Sequence, residues 1–112
     1  MPAYIIYRAA VTDWDKYREY MKHTPRIIAE YGGRFIVRGG ASVTLEGPPG
    51  DERVVVLEFP TLEQAKLFYD SPEYTKARAI RADAGEARMF AVEAYPDADW
   101  QSVLAASRLE SF

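Results

Sequence analysis

The chain has 112 residues, 48% of them apolar and 28% charged, with a formal net charge of −3. Those totals describe one folded domain, not a disordered chain, and the slight acidity provides no basic surface for a phosphate backbone, so nucleic acid is not an expected partner. The absence of cysteine excludes disulfides, thiolate catalysis and cysteine metal sites.

The stretch Met1–Arg8 meets a charge after too few apolar residues for a signal peptide or a membrane span, so a cytoplasmic location without membrane contact is expected. Ala3–Val11 reads as a first strand, rich in Tyr, Ile and Val. Thr12 and Asp13 offer a helix N-cap, after which Trp14, Tyr17, Met21, Thr24, Ile28 and Tyr31 recur at helical spacing. Pro25 interrupts that stripe and predicts a kink or two consecutive helical pieces.

Gly32-Gly33 stops the helix. A second strand is expected from Arg34 to about Leu45, with an irregularity at Gly39-Gly40 that bends it or admits a close neighbour. Glu46–Asp51 reads as a turn and Glu52–Phe59 as a third strand, which Pro60 ends. Thr61 caps a second helix, and Ser71-Pro72 restarts it, with Ser71 at the N-cap. Ala87–Tyr95 reads as the fourth strand, and Trp100, Val103 and Leu104 cluster on one side of a possible short helix in the tail, 96–112. The division is therefore a domain over 1–95 and a C-terminal extension over 96–112.

The order βαββαβ predicts an α+β, ferredoxin-like fold, with an antiparallel sheet ordered 4-1-3-2 and helices on one face. The uncovered face is expected to carry Tyr4, Ile6, Arg8, Ile36, Arg38, Val54, Val56, Glu58, Met89, Ala91 and Glu93, while Phe90 and Val92 face the helices. An apolar face of that size calls for a second subunit or a ligand. Counting back from the turn sets Arg38 nearly opposite Glu58, with Tyr4 beside it and Glu93 two strand spacings away, about 9–10 Å. Arg38, Glu58, Tyr4 and Glu93 are thus the candidate ligand-binding set. Arg38 offers a forked donor to an anion and Glu58 a base, unless the two simply form an interface ion pair.

His23, the single histidine, stands one turn from Glu19 and is a second candidate base, or else a helix-surface residue. No metal site is expected from it. Neither glycine pair has dinucleotide or P-loop spacing, so no cofactor is expected. Tyr17, Tyr69 and Tyr74 read as core, and Arg78 with Arg81 as a solvated basic pair.

Tyr31-Gly32-Gly33-Arg34-Phe35, Arg38-Gly39-Gly40, Val55-Val56-Leu57-Glu58-Phe59 and Asp70-Ser71-Pro72-Glu73-Tyr74 together resemble the domain of unknown function family 1330, in the dimeric α/β barrel superfamily. The resemblance covers about residues 3–95 and implies a homodimer that pairs sheet to sheet. Broader relatives include cofactor-independent monooxygenases and isomerases of aromatic or lactone substrates, several of which bind ligand between sheet and helices. Three readings follow: a homodimer with a small-molecule pocket, a cofactor-independent enzyme, and a structural dimer without ligand.

Overall fold

Alternation of small or apolar residues makes Ala3–Val11 the central strand, β1, in the computed structural model, which describes residues 1–109. Ala3, Ile5, Tyr7 and Ala9 are buried under the helices, while Tyr4, Ile6, Arg8 and Ala10 point the other way. The chain continues as α1 (Trp14–Glu30), β2 (Arg34–Arg38), β3 (Arg53–Phe59), α2 (Leu62–Asp70), α3 (Pro72–Ile80), β4 (Gly85–Glu93) and α4 (Asp97–Leu109). The sheet is antiparallel, open, and ordered β2-β3-β1-β4. This is the ferredoxin-like α+β arrangement that the element order predicts. Of the tail 96–112, residues 110–112 lie outside the described residues.

Asp13 caps α1 by accepting from the Lys16 amide at 3.2 Å, and Thr61 caps α2 through the Gln64 amide at 3.0 Å. Ser71 closes one helix and opens the next, donating to the Phe68 carbonyl at 2.7 Å and accepting from the Tyr74 amide at 3.1 Å. Its buried hydroxyl therefore has partners on both sides, and the core it adjoins can stay dry. That core stacks Phe68 against Tyr74 and Phe59, with ring centroids 4.5 and 5.1 Å apart.

Pro25 does not divide α1, which runs unbroken from Trp14 to Glu30. A proline at this position removes the amide that would bond the Met21 carbonyl. Two side chains take its place: Thr24 Oγ1 donates to that carbonyl at 3.3 Å and an Arg38 terminal nitrogen at 3.5 Å. The orphaned acceptor is satisfied from outside the helix ladder. The helix consequently needs no break.

The second strand is much shorter than expected and ends at Arg38. Its irregularity also falls earlier than the Gly39-Gly40 pair, between Phe35 and Val37, where Phe35 pairs with Leu57 and Val37 with Val56. One extra residue, Ile36, enters the strand without a partner, so every side chain after it changes face. Gly39 then takes φ +64, donates its amide to the Val54 carbonyl at 2.9 Å and leaves the ladder. A side chain there would meet both an unfavourable backbone angle and the Arg53 guanidinium. Gly40–Glu52 forms an exposed connection.

On β4 the expected parity is reversed. Ala3 pairs with Glu93, Ile5 with Ala91 and Tyr7 with Met89, so these three β4 residues share the helix side. Phe90 and Val92 instead face outward, 49% and 46% exposed. The physical reason is the antiparallel ladder with β1, in which directly opposed residues share a face, so Met89, Ala91 and Glu93 follow buried Tyr7, Ile5 and Ala3.

Two substitutions test this account of the backbone. Pro25→Ala restores the missing amide and should stabilise the chain by roughly 1–2 kcal/mol. Gly39→Ala should destabilise it by about 1 kcal/mol or more. Equilibrium urea unfolding measures both, and a destabilised Pro25→Ala would show that the Met21 carbonyl contacts are worth more than the helix bond they replace.

Candidate functional site

The change of face at Ile36 separates the residues that sequence spacing places together. Arg34, not Arg38, lies opposite Glu58, and its Nε donates to Glu58 Oε1 at 3.0 Å. Tyr4 is the other cross-strand neighbour of Glu58, as expected. Glu93 is not part of this group, because it lies on the helix side, next to Ala3. The open face thus carries Tyr4, Ile6, Val37, Val54, Val56, Phe90 and Val92, with the Arg34–Glu58 pair at one end and Arg8 opposite Arg88 at the other. Its balance of apolar and charged residues matches the sequence reading, but Arg34 and Arg88 take the places expected for Arg38 and Glu93.

Arg38 pairs with Val55 and so stands on the helix side. Its guanidinium lies 4.5 Å from the Phe35 ring centroid and reaches the carbonyl that Pro25 leaves free. There it joins the wall of a cavity between the sheet and the helices, lined by Tyr7, Tyr17, Tyr20, Met21, Arg53 and Tyr74 among others. The water-accessible volume is about 30 Å³, room for about two water molecules. Arg38 is exposed and Met21 and Met89 are half-buried, so the wall nearest solvent is also the wall best able to move.

Four tyrosines hold the interior of this site. Tyr17 donates to the Tyr7 hydroxyl at 3.3 Å, and the Tyr20 and Tyr74 hydroxyls share a hydrogen bond of 2.8 Å. Behind them Arg81, the C-cap of α3, turns inward: it donates to the Tyr74 hydroxyl at 3.3 Å and lies 5.2 Å from the ring centroids of both Tyr7 and Tyr20. Arg53 approaches the Tyr17 ring, its guanidinium 5.9 Å from the centroid. The Nε atoms of Arg53 and Arg81 are buried without a hydrogen-bond partner among the described residues. Two cations therefore border one phenol cluster with donor capacity to spare.

Burial, followed by the hydrogen bond with Tyr17, pushes the Tyr7 phenol far above its ordinary pKa. Burial likewise raises Tyr20, with the neighbouring Tyr74 next in effect. Both remain neutral donors throughout the physiological range. Burial opposes the Arg81 charge, but the hydroxyls of Tyr74, Tyr20 and Tyr7 more than offset it, and the group stays cationic.

Neither candidate base reaches the cavity. Glu58 is on the open face, and His23 lies on the flank of α1 with its Nε2 3.5 Å from Glu19 Oε1. Arg81 is not the solvated residue its helical spacing suggests; Arg78 stacks on Tyr69 and bonds its hydroxyl. Sequence reasoning missed Arg34, Arg53 and Arg81 as site-forming residues. Arg53 alone left a signal, being a charge on the strand face that also carries Val55, Leu57 and Phe59. No group of three or more metal-ligating side chains occurs among the described residues, and no described helix is long and apolar enough to cross a membrane.

Comparison with known proteins agrees with the fold. A protein of unknown function from Rhodopseudomonas palustris superposes with a TM-score of 0.71 at 17% identity, covering 85% of this chain and 83% of its own. A dimeric ferredoxin-like protein of unknown function from Thermobifida fusca gives 0.52 at 16% identity over 84% and 92% of the two chains. SnoaB, a cofactor-independent oxygenase from Streptomyces nogalater, gives 0.58 at 11% identity over 85% and 94%. No curated protein matches the sequence significantly. The model of the domain of unknown function DUF1330 matches residues 2–95.

The buried phenols predict a distinct alkaline response. Their raised folded pKa values mean that the unfolded chain loses protons first as pH rises past about 10, so the stability they contribute is complete below that pH and is lost above it. Phenolate absorbance during a pH titration should show Tyr7 and Tyr20 ionising only together with loss of the fold. Replacing both by phenylalanine should remove that cooperative step.

Proposed function

This chain belongs to the DUF1330 family, and on that premise we propose that it is the subunit of a homodimer that binds a small aromatic anion between its sheet and helices. The observation that carries this reading is the convergence of Arg38, Arg53 and four tyrosines on one cavity, with the buried Arg53 Nε unpartnered among the described residues and Arg81 held behind the phenols on the Tyr74 hydroxyl. Buried donors without acceptors cost free energy, and a carboxylate, phenolate or enolate oxygen would supply the acceptor while its ring packed on the tyrosines. Because the cavity is only about 30 Å³, seating an aromatic ring requires Arg38 to leave Phe35 and the half-buried Met21 and Met89 to move outward.

Dimerisation through the open face is supported by the row of exposed or half-exposed apolar residues there and by the dimeric description of the ferredoxin-like neighbour. In that arrangement Tyr4 and Glu58 belong to the interface, Glu93 lies outside it on the helix side, and Arg38 keeps its ligand-binding role with Arg53 as its companion. An enzymatic reading draws on the fold shared with SnoaB, which is evidence of fold alone. The cavity-lining residues include no carboxylate and no imidazole. That favours binding over proton abstraction at neutral pH.

Hydroxybenzoates are suitable probes. They should raise the thermal midpoint of the wild type, and Arg38→Gln and Arg53→Gln should each weaken binding about tenfold or more, in line with the loss of a hydrogen bond to a charged group. A panel that leaves the midpoint unchanged, or two variants that bind as well as the wild type, would sink the proposal. Sedimentation should show a dimer at micromolar concentration; a monomer would overturn the open-face interface.

A further inference from the structure

The phenols around the cavity hold more protons than they place. Tyr17 donates to the Tyr7 hydroxyl, and the Tyr20 and Tyr74 hydroxyls, 2.8 Å apart, share one proton between them. The Tyr74 oxygen also accepts from Arg81 at 3.3 Å. A hydroxyl that already accepts from a cation is the stronger donor of such a pair, because each hydrogen bond in a chain polarises the next. Arg81 therefore donates to Tyr74 and Tyr74 to Tyr20, which leaves the Tyr20 proton at the end of the chain without an acceptor among the described residues. The Tyr7 proton is also left over, but Tyr7 borders a second, smaller cavity beside Arg81, whereas Tyr20 lines this one alone.

The lining supplies no group dedicated to accepting that proton. It has no carboxylate, carboxamide or imidazole, and its one aliphatic hydroxyl, Thr24, is turned to the Met21 carbonyl. Water fills the role in the unliganded protein, and a ligand that displaces the water loses affinity unless it brings an acceptor of its own. The opposite wall makes a different demand. Arg38 pairs with Val55, and Arg53 stands two residues before Val55 on the same strand face, so the two guanidiniums are diagonal neighbours on the helix side of β2 and β3. Neither has an ion-pair partner among the described residues. A carboxylate, with two oxygens in one plane, fits a pair of guanidinium forks better than the single oxygen of a phenolate. Tyr20 and Tyr74 belong to α1 and α3, across the cavity from that hairpin. One ligand therefore meets cations at one end and the phenol chain at the other.

The geometry points to a ligand with two oxygen functions: an aromatic carboxylate held by Arg38 and Arg53, whose ring bears, remote from the carboxylate, a neutral carbonyl oxygen that accepts from Tyr20. The inference rests on the aromatic-anion reading above and narrows its ligand class. A ring hydroxyl accepts too, but it brings one more proton into a site that already has a surplus, and a carbonyl does not. Arg81 is a positioning residue, acting through Tyr74 without touching the ligand.

Acetylbenzoates and isopropylbenzoates, meta and para, are matched probes, since the two substituents have nearly the same shape and differ in the acceptor. By calorimetry, one acetyl isomer should bind at least ~tenfold more tightly than its isopropyl counterpart, although the isopropyl group is the more apolar. Tyr20→Phe should bring that ratio close to one and Arg81→Gln should reduce it, whereas Arg53→Gln should weaken both probes together and preserve it. The infrared carbonyl stretch of acetylbenzoate bound to the wild type should fall below its value in an apolar solvent, a reading that does not depend on how any variant folds. Equal affinities, an unshifted stretch, or a ratio that survives Tyr20→Phe would each overturn the Tyr20 carbonyl contact and leave the aromatic-anion reading standing. A series in which no benzoate binds overturns both.

Discussion

The extra residue in β2 decides on which side of the sheet each of its arginines lies. Were Ile36 paired in register, Arg38 would fall opposite Val54 on the open face, the same face as the Arg34–Glu58 pair. With Ile36 unpaired, one arginine closes an ion pair on the sheet's outer face and the other reaches under α1. A bulge at an edge strand is a small change in the ladder, yet it alters the face of every residue beyond it. Here it divides one stretch of chain between two surfaces: the apolar face suited to a partner subunit and the tyrosine-lined space behind it.

The proline in α1 and that bulge work on the same atom. Pro25 frees the Met21 carbonyl, and the bulge delivers Arg38 to it. Neither feature accounts for the contact alone. Deeper inside, Arg81 caps α3 and then enters the aromatic cluster, where hydrogen bonding and ring contact offset the burial of its charge. The cavity is thus lined by Arg38, Arg53 and neutral phenols, with Arg81 behind the phenols. Such a lining is suited to holding an anion and poorly suited to taking a proton from one.

Much of the fold was legible in the sequence because its signals are local. Asp13, Thr61 and Ser71 are the caps they read as, Gly32 at φ +82 ends its helix, and β1 has the bounds its alternation predicts. The site was less legible because its geometry depends on register. Counting from the Glu46–Asp51 turn assumes a continuous hairpin, and β2 stops at Arg38 with a residue already out of step. On β4, both alternate sets are apolar, so periodicity could not say that Phe90 faces outward. Arg81 was hidden for another reason: a helix-end arginine reads as solvated until the tyrosines from β1, α1 and α3 are brought around it.

The central claim is that ligand enters the helix side of the sheet and not its open face. Intermolecular nuclear Overhauser effects in protein saturated with a hydroxybenzoate test it most directly. The account predicts contacts from the ligand ring to the methyl groups of Met21 and Met89 and to the Tyr17 ring, which line the cavity. Contacts confined to Ile6, Val56 and Val92, on the open face, would contradict it.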